Sequence, residues 1–308
     1  MRRRGEAPQA TVLRSTMPRS IRIALPLALV GWLVTASGCT GPTSGQESPA
    51  ALTLPPQPSP MAAPVQARPS AAPPASPLAV PAVPSQPLKG APFAGTPAVG
   101  SLARVSGSTV TGHSCTASVV HSPAHNLVVT AAHCLGDDEI ANPRRIAFVP
   151  GYHTGSAPYG IFVAHKVTVD PHWTENADPD YDVAFLTVDA NDSGQVEEAA
   201  GANTLGIGRQ PGALTATVGY PKDSESPIVC RNYTRKQSDT QLRFDCAEYT
   251  AGTSGGPLIT DVDPTTGRGT VVGVVGGYQE GGETPDISYS PYFGNQVSGL
   301  YRAATASA

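Results

Sequence analysis

Beyond residue 96 the chain consists almost entirely of short apolar, β-branched runs cut by Gly, Pro, Asn and Asp, and this pattern restricts its fold more than any other feature. Ser118 to Val120, Leu127 to Thr130, Arg145 to Val149, Ile161 to His165, Val183 to Val188, Leu214 to Val218, Leu242 to Phe244 and Thr270 to Val275 recur at the spacing of strands in a sandwich or barrel. Helical periodicity is confined to Asn295 to Ala304, where Val297, Leu300 and Tyr301 share a face, which predicts one short terminal helix packed on the body. The expected class is all-β. Roughly 210 residues suffice for two small barrels with a cleft between them, where groups from both halves can converge.

The first 96 residues have another character. Arg2, Arg3, Arg4, Arg14, Arg19 and Arg22 precede an apolar run from Ile23 to Ala36, followed by Ser37 and Gly38, which reads as an export signal over residues 1–39. The run is short for a membrane span. Met17 offers a second start, since Met17 to Gly38 alone has the proportions of a signal. Ala36-Ser37-Gly38-Cys39 is similar to a bacterial lipobox, so Cys39 is a candidate for lipid attachment, and release by cleavage beyond Cys39 is the alternative. From Thr40 to Thr96, Pro, Ala and Ser dominate, with Glu47, Arg68 and Lys89 the only charges, too little apolar surface to offset the entropy of ordering. Residues 40–96 are expected to be a disordered tether or a propeptide, and residues 97–305 the folded domain. The formal net charge of -4 gives no footprint for nucleic acid.

Three local motifs follow in one order. Thr130-Ala131-Ala132-His133-Cys134 comes directly after the apolar run Leu127-Val128-Val129, so a strand end places the His133 ring. Such a ring takes a proton from a nucleophile when its other nitrogen donates to a carboxylate. His113, His121, His125, His153, His165 and His172 lack this context and read as surface or loop residues. Asp182 opens the run Val183-Ala184-Phe185-Leu186. Of the acids nearby, Asp170, Asp178, Asp180 and Asp182, it alone leads straight into a strand, with Asp180 its nearest rival. Gly252-Thr253-Ser254-Gly255-Gly256-Pro257 supplies a serine in a glycine-rich turn. Serine is a weak nucleophile that needs a base and a site for the tetrahedral oxyanion, and the turn can aim the amides of Gly252 and Ser254 at one point.

The same turn also satisfies the G-x-S-x-G pattern of α/β hydrolases, in which a histidine follows the serine in the chain. Here no histidine follows His172. The order His, Asp, Ser, with the three motifs together, resembles the trypsin-like (chymotrypsin-like) serine peptidases across residues 98 to 303. Phe148-Val149-Pro150-Gly151-Tyr152 and Val218-Gly219-Tyr220-Pro221 resemble the bacterial branch that includes the glutamyl endopeptidases. The resemblance implies two six-stranded antiparallel β-barrels, with catalytic residues between them, and peptide cleavage through an acyl-enzyme. It makes His133 the general base and acid, Asp182 its orienting carboxylate, Ser254 the nucleophile, and Gly252 with Ser254 the oxyanion hole.

It also pairs Cys115 with Cys134, which leaves Cys230 and Cys246 as a second pair. Thr253 stands where animal trypsin-like enzymes hold the aspartate that captures a new N-terminus, so activation of that kind is not expected. The strand that lines the family's specificity pocket corresponds to Gly273 through Gly277, which makes Val275, Gly276 and Gly277 candidate substrate contacts. Val275 replaces the histidine of the glutamyl endopeptidases. Glu248, six residues before Ser254, stands where a basic substrate side chain would be bound, or is a loop charge. No metal, nucleotide or cofactor motif is present, and the chemistry needs none. The expected partners are protein or peptide substrates outside the cell. A catalytically lapsed binding module and an esterase on the same triad are the competing functions.

Overall fold

A computed structural model describes residues 88–107 and 109–306. The expected export signal, Cys39 as the candidate for lipid attachment and the tether through residue 87 lie outside the described residues. Among the described residues no helix is long and apolar enough to cross a membrane.

Six strands form the first half: β1 (Val99–Ser106), β2 (Thr109–Val119), β3 (Leu127–Thr130), β4 (Ile146–Pro150), β5 (Phe162–Val169) and β6 (Ala184–Val188). Antiparallel ladders close them into a barrel in the order β1-β2-β3-β6-β5-β4. The second half has β7 (Leu214–Gly219), β8 (Ile228–Tyr233), β9 (Gln241–Asp245), β10 (Pro257–Thr260), β11 (Thr270–Val274) and β12 (Ile287–Pro291). Here backbone ladders give one run, β8-β7-β10-β11, and a second sheet in which β9 pairs with β12 on one side and, on the other, with the two-residue strand Arg235–Lys236 that follows β8.

Two seams complete this second ring. Gly276 N donates to Tyr289 O (3.0 Å) and Val274 N to Ser290 Oγ (2.9 Å), which join β11 to β12. Asn232 Nδ2 donates to Asp245 O (2.7 Å), and the Cys230–Cys246 disulfide bridges the same two strand ends, joining β8 to β9. The ring runs β7-β8-β9-β12-β11-β10, the strand order of the first barrel. The all-β, two-barrel architecture is as expected, with one short parallel addition where Thr204–Leu205 lies along β11.

The uninterrupted apolar runs of the sequence mark strands buried on both faces. In β3, Val128 points into the first barrel while Leu127 and Val129 point out of it. In β6, Leu186 points in and Phe185 out. The outward set meets Val218, Tyr220, Ile259, Val271 and Val274 of the second barrel, together with Val297 and Ala304 of the terminal helix Asn295–Thr305, in one shared core. The second barrel has its own interior around Cys230, Phe244, Tyr249, Leu258, Val272 and Val275. The period of two along each strand thus feeds two cores at once.

The N-terminal boundary needs correction. Leu88 to Phe93, read from composition as tether, belong to the body. Gly90 N donates to Ala247 O (2.8 Å), Ala247 N to Leu88 O (2.8 Å) and Phe93 N to Pro227 O (3.1 Å), and Ala91 and Pro92 pair with Val229 and Ile228 of β8. Composition misses this because the strap is held by its backbone on the free edge of β8, and only Phe93 adds a packed side chain.

Candidate active site

Strand register brings His133 and Asp182 together. Thr130, the last residue of β3, pairs with Ala184, the first of β6, so the residues just past one and just before the other emerge at the same end of the barrel. His133 sits in the 3₁₀ turn Ala132–Cys134, and Asp182 closes the turn Pro179–Tyr181. Asp182 is 0% exposed and accepts three hydrogen bonds: from His133 N at Oδ1 (2.8 Å), and at Oδ2 from His133 Nδ1 (2.7 Å) and Gly277 N (2.7 Å). A carboxylate can only accept, so Nδ1 carries the proton and Nε2 is left with its lone pair. The His133 side chain is 11% exposed. Burial pushes its pKa down, but the hydrogen bond to Asp182, that carboxylate's charge and the charge of Glu280 more than offset this, and the ring titrates above the ordinary imidazole value.

The competing acids have other partners. Asp180 Oδ1 accepts from Gln241 Nε2 (2.8 Å), Asp178 Oδ1 from Asp180 N (3.0 Å), and Asp170 caps the helix Pro171–Asn176 and pairs with His172 (2.7 Å). Of the remaining histidines, His121 and His125 face Glu197 and Glu198, His153 lies on Ser226, His165 on Asp189, and the His113 ring lies near Tyr152.

The serine turn leads into β10 and is tied to both barrels. Gly255 N donates to Val275 O (2.7 Å) and Val275 N to Gly256 O (2.8 Å), which anchors it to the strand that runs on to Gly277. On the other side Thr116 N donates to Ser254 O (2.8 Å) and Thr116 Oγ1 to Gly252 O (2.9 Å), while Thr130 Oγ1 donates to Thr116 O (2.8 Å). Gly255 has φ +76°, and a side chain there would overlap Thr130 Oγ1 and the Thr116 carbonyl. The turn therefore presses directly on the strand end that precedes His133. Within it, the amides of Thr253, Gly255 and Gly256 are bonded to protein carbonyls. Those of Gly252 and Ser254 meet no protein acceptor among the described residues, the condition for an oxyanion site. Thr253 is buried and donates through Oγ1 to Thr250 O (2.8 Å), a local bond that holds the turn.

The proposed substrate contacts separate. Gly276 and Gly277 lie against Asp182, whereas the Val275 side chain is in the interior of the second barrel. Glu248 is exposed, at φ +77°, and lines a cavity of about 410 Å³ with Lys89, Gly90, Pro221, Asp223 and Thr250. Val275, Gly276 and Gly277 are not among that cavity's walls.

Three positioning residues escaped the sequence reading. Thr116 follows Cys115 and Thr130 opens the His133 motif itself, so proximity to Cys115 and His133 is the available signal for both. Gln241 has no local signal. It is buried on β9, donates to Pro179 O (3.0 Å) and Asp180 Oδ1 (2.8 Å), and accepts from Tyr278 N (3.1 Å). It thereby joins the turn that carries Asp182 to the loop that carries Gly277. Gly277 itself, at φ +75°, has no room for a side chain beside Gln241 Oε1 and Pro291. Both disulfides are formed, with Cα–Cα separations of 6.0 Å for Cys115–Cys134 and 6.6 Å for Cys230–Cys246. The first fixes the residue next to His133 to β2.

Residues 115–274, just over half of the chain, match the family model of a trypsin-like peptidase domain. The fold is similar to that of the protease Anisep from Arthrobacter nicotinovorans (TM-score 0.58, 23% identity, covering 70% of this chain and 98% of that one). It is similar also to the thermostable serine protease AL20 from an extremophilic microorganism (TM-score 0.58, 22% identity, 69% and 99% covered). A Glu endopeptidase in complex with MPD is a third structural neighbour (TM-score 0.54, 16% identity, 71% and 97% covered). No curated protein matches the chain in sequence.

Proposed function

Because the chain belongs to the trypsin-like peptidase family, we propose that it is a secreted serine endopeptidase in which His133, Asp182 and Ser254 cleave peptide bonds through an acyl-enzyme. His133 Nε2 takes the proton of Ser254 Oγ as the oxygen attacks the scissile carbonyl carbon. The tetrahedral oxyanion accepts from the amides of Gly252 and Ser254. Collapse expels the amine, which takes its proton from His133, and leaves an ester on Ser254. Water, deprotonated by His133, attacks that ester by the same route in reverse and frees the acid. Asp182 stays ionised throughout. It holds the ring in the productive tautomer and stabilises the imidazolium.

The observation that carries this reading is the buried Asp182 carboxylate with three donors, two of them from His133. A carboxylate removed from water at such cost, when an apolar residue would pack as well, is what an imidazole that must become cationic requires. The free amides of Gly252 and Ser254 add the second half of the machinery.

The test is labelling by a fluorophosphonate, with Ser254→Ala as control. Stoichiometric label on the parent and none on the variant is the expected result, and absence of label on folded parent protein overturns the proposal. Hydrolysis of casein then separates an endopeptidase from an enzyme confined to esters.

Two disulfides and the basic, then apolar, N-terminal segment support action outside the cell. The mass of the mature N-terminus distinguishes a lipid-bearing Cys39 from release beyond it. For substrate preference, the place of Glu248 beside Lys89 lends no support to a pocket for basic side chains, and Val275 is not the histidine that a glutamate pocket would use.

A further inference from the structure

His121 and His125 lie on the β2–β3 connection, and Glu197 and Glu198 on the short helix Val196–Ala200, in the segment that links the barrels. The fold brings these pairs together across 76 residues of chain. One ligand atom from each of His121, His125 and Glu197 lies within 4.8 Å of the other two. His121 Nδ1 is 2.7 Å from Glu197 Oε1, and His125 Nδ1 is 3.7 Å from Glu198 Oε1. We propose that these four side chains form a binding site for one zinc ion, independent of the triad and of the reaction assigned to it.

The geometry is within reach of exposed side chains. Tetrahedral zinc, with bonds of about 2.0–2.2 Å, needs its ligand atoms about 3.4 Å apart. The His121–Glu197 pair must open by under an ångström, with zinc taking the place of the proton between them; the His125 ring must swing inward by up to about 1.4 Å, bringing with it Oε1 of Glu198, whose Oε2 accepts from Gln195 N (3.0 Å). Two imidazoles with two carboxylates are a donor set that suits zinc, whereas calcium and magnesium take oxygen alone.

The backbone around the site is already built. Glu197 N donates to His125 O (3.0 Å), Ser122 N to Glu197 Oε2 (3.2 Å), His125 N to Ser122 O (3.0 Å) and Asn126 N to Ser122 Oγ (3.3 Å). Tyr301 of the terminal helix donates its hydroxyl to His121 O (3.0 Å). His125 adopts φ +58°, a left-handed conformation that a residue with a side chain takes at a cost. That conformation turns the connection so that both imidazoles face the same glutamates. Zinc here would tie the first barrel to the inter-barrel segment and, through His121, to the helix that packs on both.

The test uses the full chain as Ser254→Ala, to exclude self-digestion, with Zn²⁺ as the probe. Equilibrium dialysis should retain one zinc ion per chain, and Co²⁺ should give the visible absorption of a tetrahedral site. At a zinc concentration a hundred times Kd, Tm should rise by roughly 5–10 °C. His121→Ala and Glu197→Gln should each weaken binding at least about 10-fold. His125→Asn keeps a residue that tolerates the left-handed conformation, so it should melt like the parent in metal-free buffer while losing both the zinc and the Tm rise. No retained zinc and no Tm rise in the parent, or retention unchanged in His125→Asn, overturns the proposal and leaves the cluster as an ion-paired surface patch.

Discussion

The two barrels share one strand order and close in different ways. In the first, backbone ladders join every neighbouring pair of strands. In the second, two of the joins are thin: a disulfide, one carboxamide and the two-residue ladder of Arg235–Lys236 tie β8 to β9, and one serine hydroxyl and a single backbone bond tie β11 to β12. The labour of the site is divided along the same line. The continuous ring fixes two adjacent strand ends, and from those ends His133 and Asp182 meet. The ring with seams releases its strands early. Past Val274 the chain leaves the ladder, and Gly277 can reach across to Asp182 while Val275 holds the serine turn. A closed ladder gives a rigid pair; an open seam gives loops that can serve the neighbouring barrel.

The harshest test of this division is Asp182→Asn. The variant keeps the shape of the first barrel and removes the charge that orients His133, and kcat/KM should fall by about 10⁴-fold. A loss under tenfold would mean that the ring is oriented by something other than its own barrel. The parent's pH profile checks the electrostatics. The proposed mechanism needs neutral His133, so the acid limb of kcat/KM should lie above 6.5, the ordinary imidazole value, and in the variant the limb should move down. Stability runs the opposite way. A raised pKa means that folding favours protonated His133; that contribution is complete below the unfolded value and is lost as pH rises through the folded one.

Next in size is the removal of either disulfide. The enclosed loops span 19 and 16 residues, so chain entropy assigns each about 3 kcal/mol. The costs should be similar and the consequences different. Replacing Cys115 and Cys134 by Ser should lower the denaturant midpoint and leave amide protection in β1 to β6 in its original pattern, because the ladder there is complete. Replacing Cys230 and Cys246 should in addition speed exchange selectively in β8 and β9, where the disulfide supplements a ladder of only two residues. Equal, global loss of protection in both variants would show that the seam has no local meaning.

What the sequence revealed follows from how local each feature is. His133 and Ser254 sit in motifs whose neighbours announce them, and the alternation within β3 and β6 is visible as apolar runs. Asp182 was one of four candidates within a dozen residues; only the pairing of Thr130 with Ala184 singles it out, and register is not written in composition. The strap Leu88 to Phe93 was hidden because backbone bonds hold it in place. Glu248 was placed by counting back from Ser254, which says where a residue lies along the chain but not which cavity it faces. The seams of the second barrel depend on contacts between residues far apart in sequence, such as Ser290 with Val274, which no local pattern announces.

Gln241 is the subtlest of these, and it sharpens the comparison because it belongs to the barrel with seams yet holds the acid of the other. Its carboxamide spends both functions on the contact between the Asp182 turn and the Gly277 loop. Gln241→Met preserves volume and removes all three bonds, leaving Pro179 O and Tyr278 N without their protein partner at the half-buried contact between turn and loop. That should cost about 1–3 kcal/mol in urea denaturation. A packing role alone would stop there. A positioning role predicts that kcat falls several-fold with little change in KM, and that the acid limb of the pH profile moves down, because Gly277 N and the carboxylate it steadies are no longer held against His133. If stability falls and both kinetic readouts stay put, the two barrels are coupled at this seam only mechanically, and the orientation of Asp182 is the work of its own barrel.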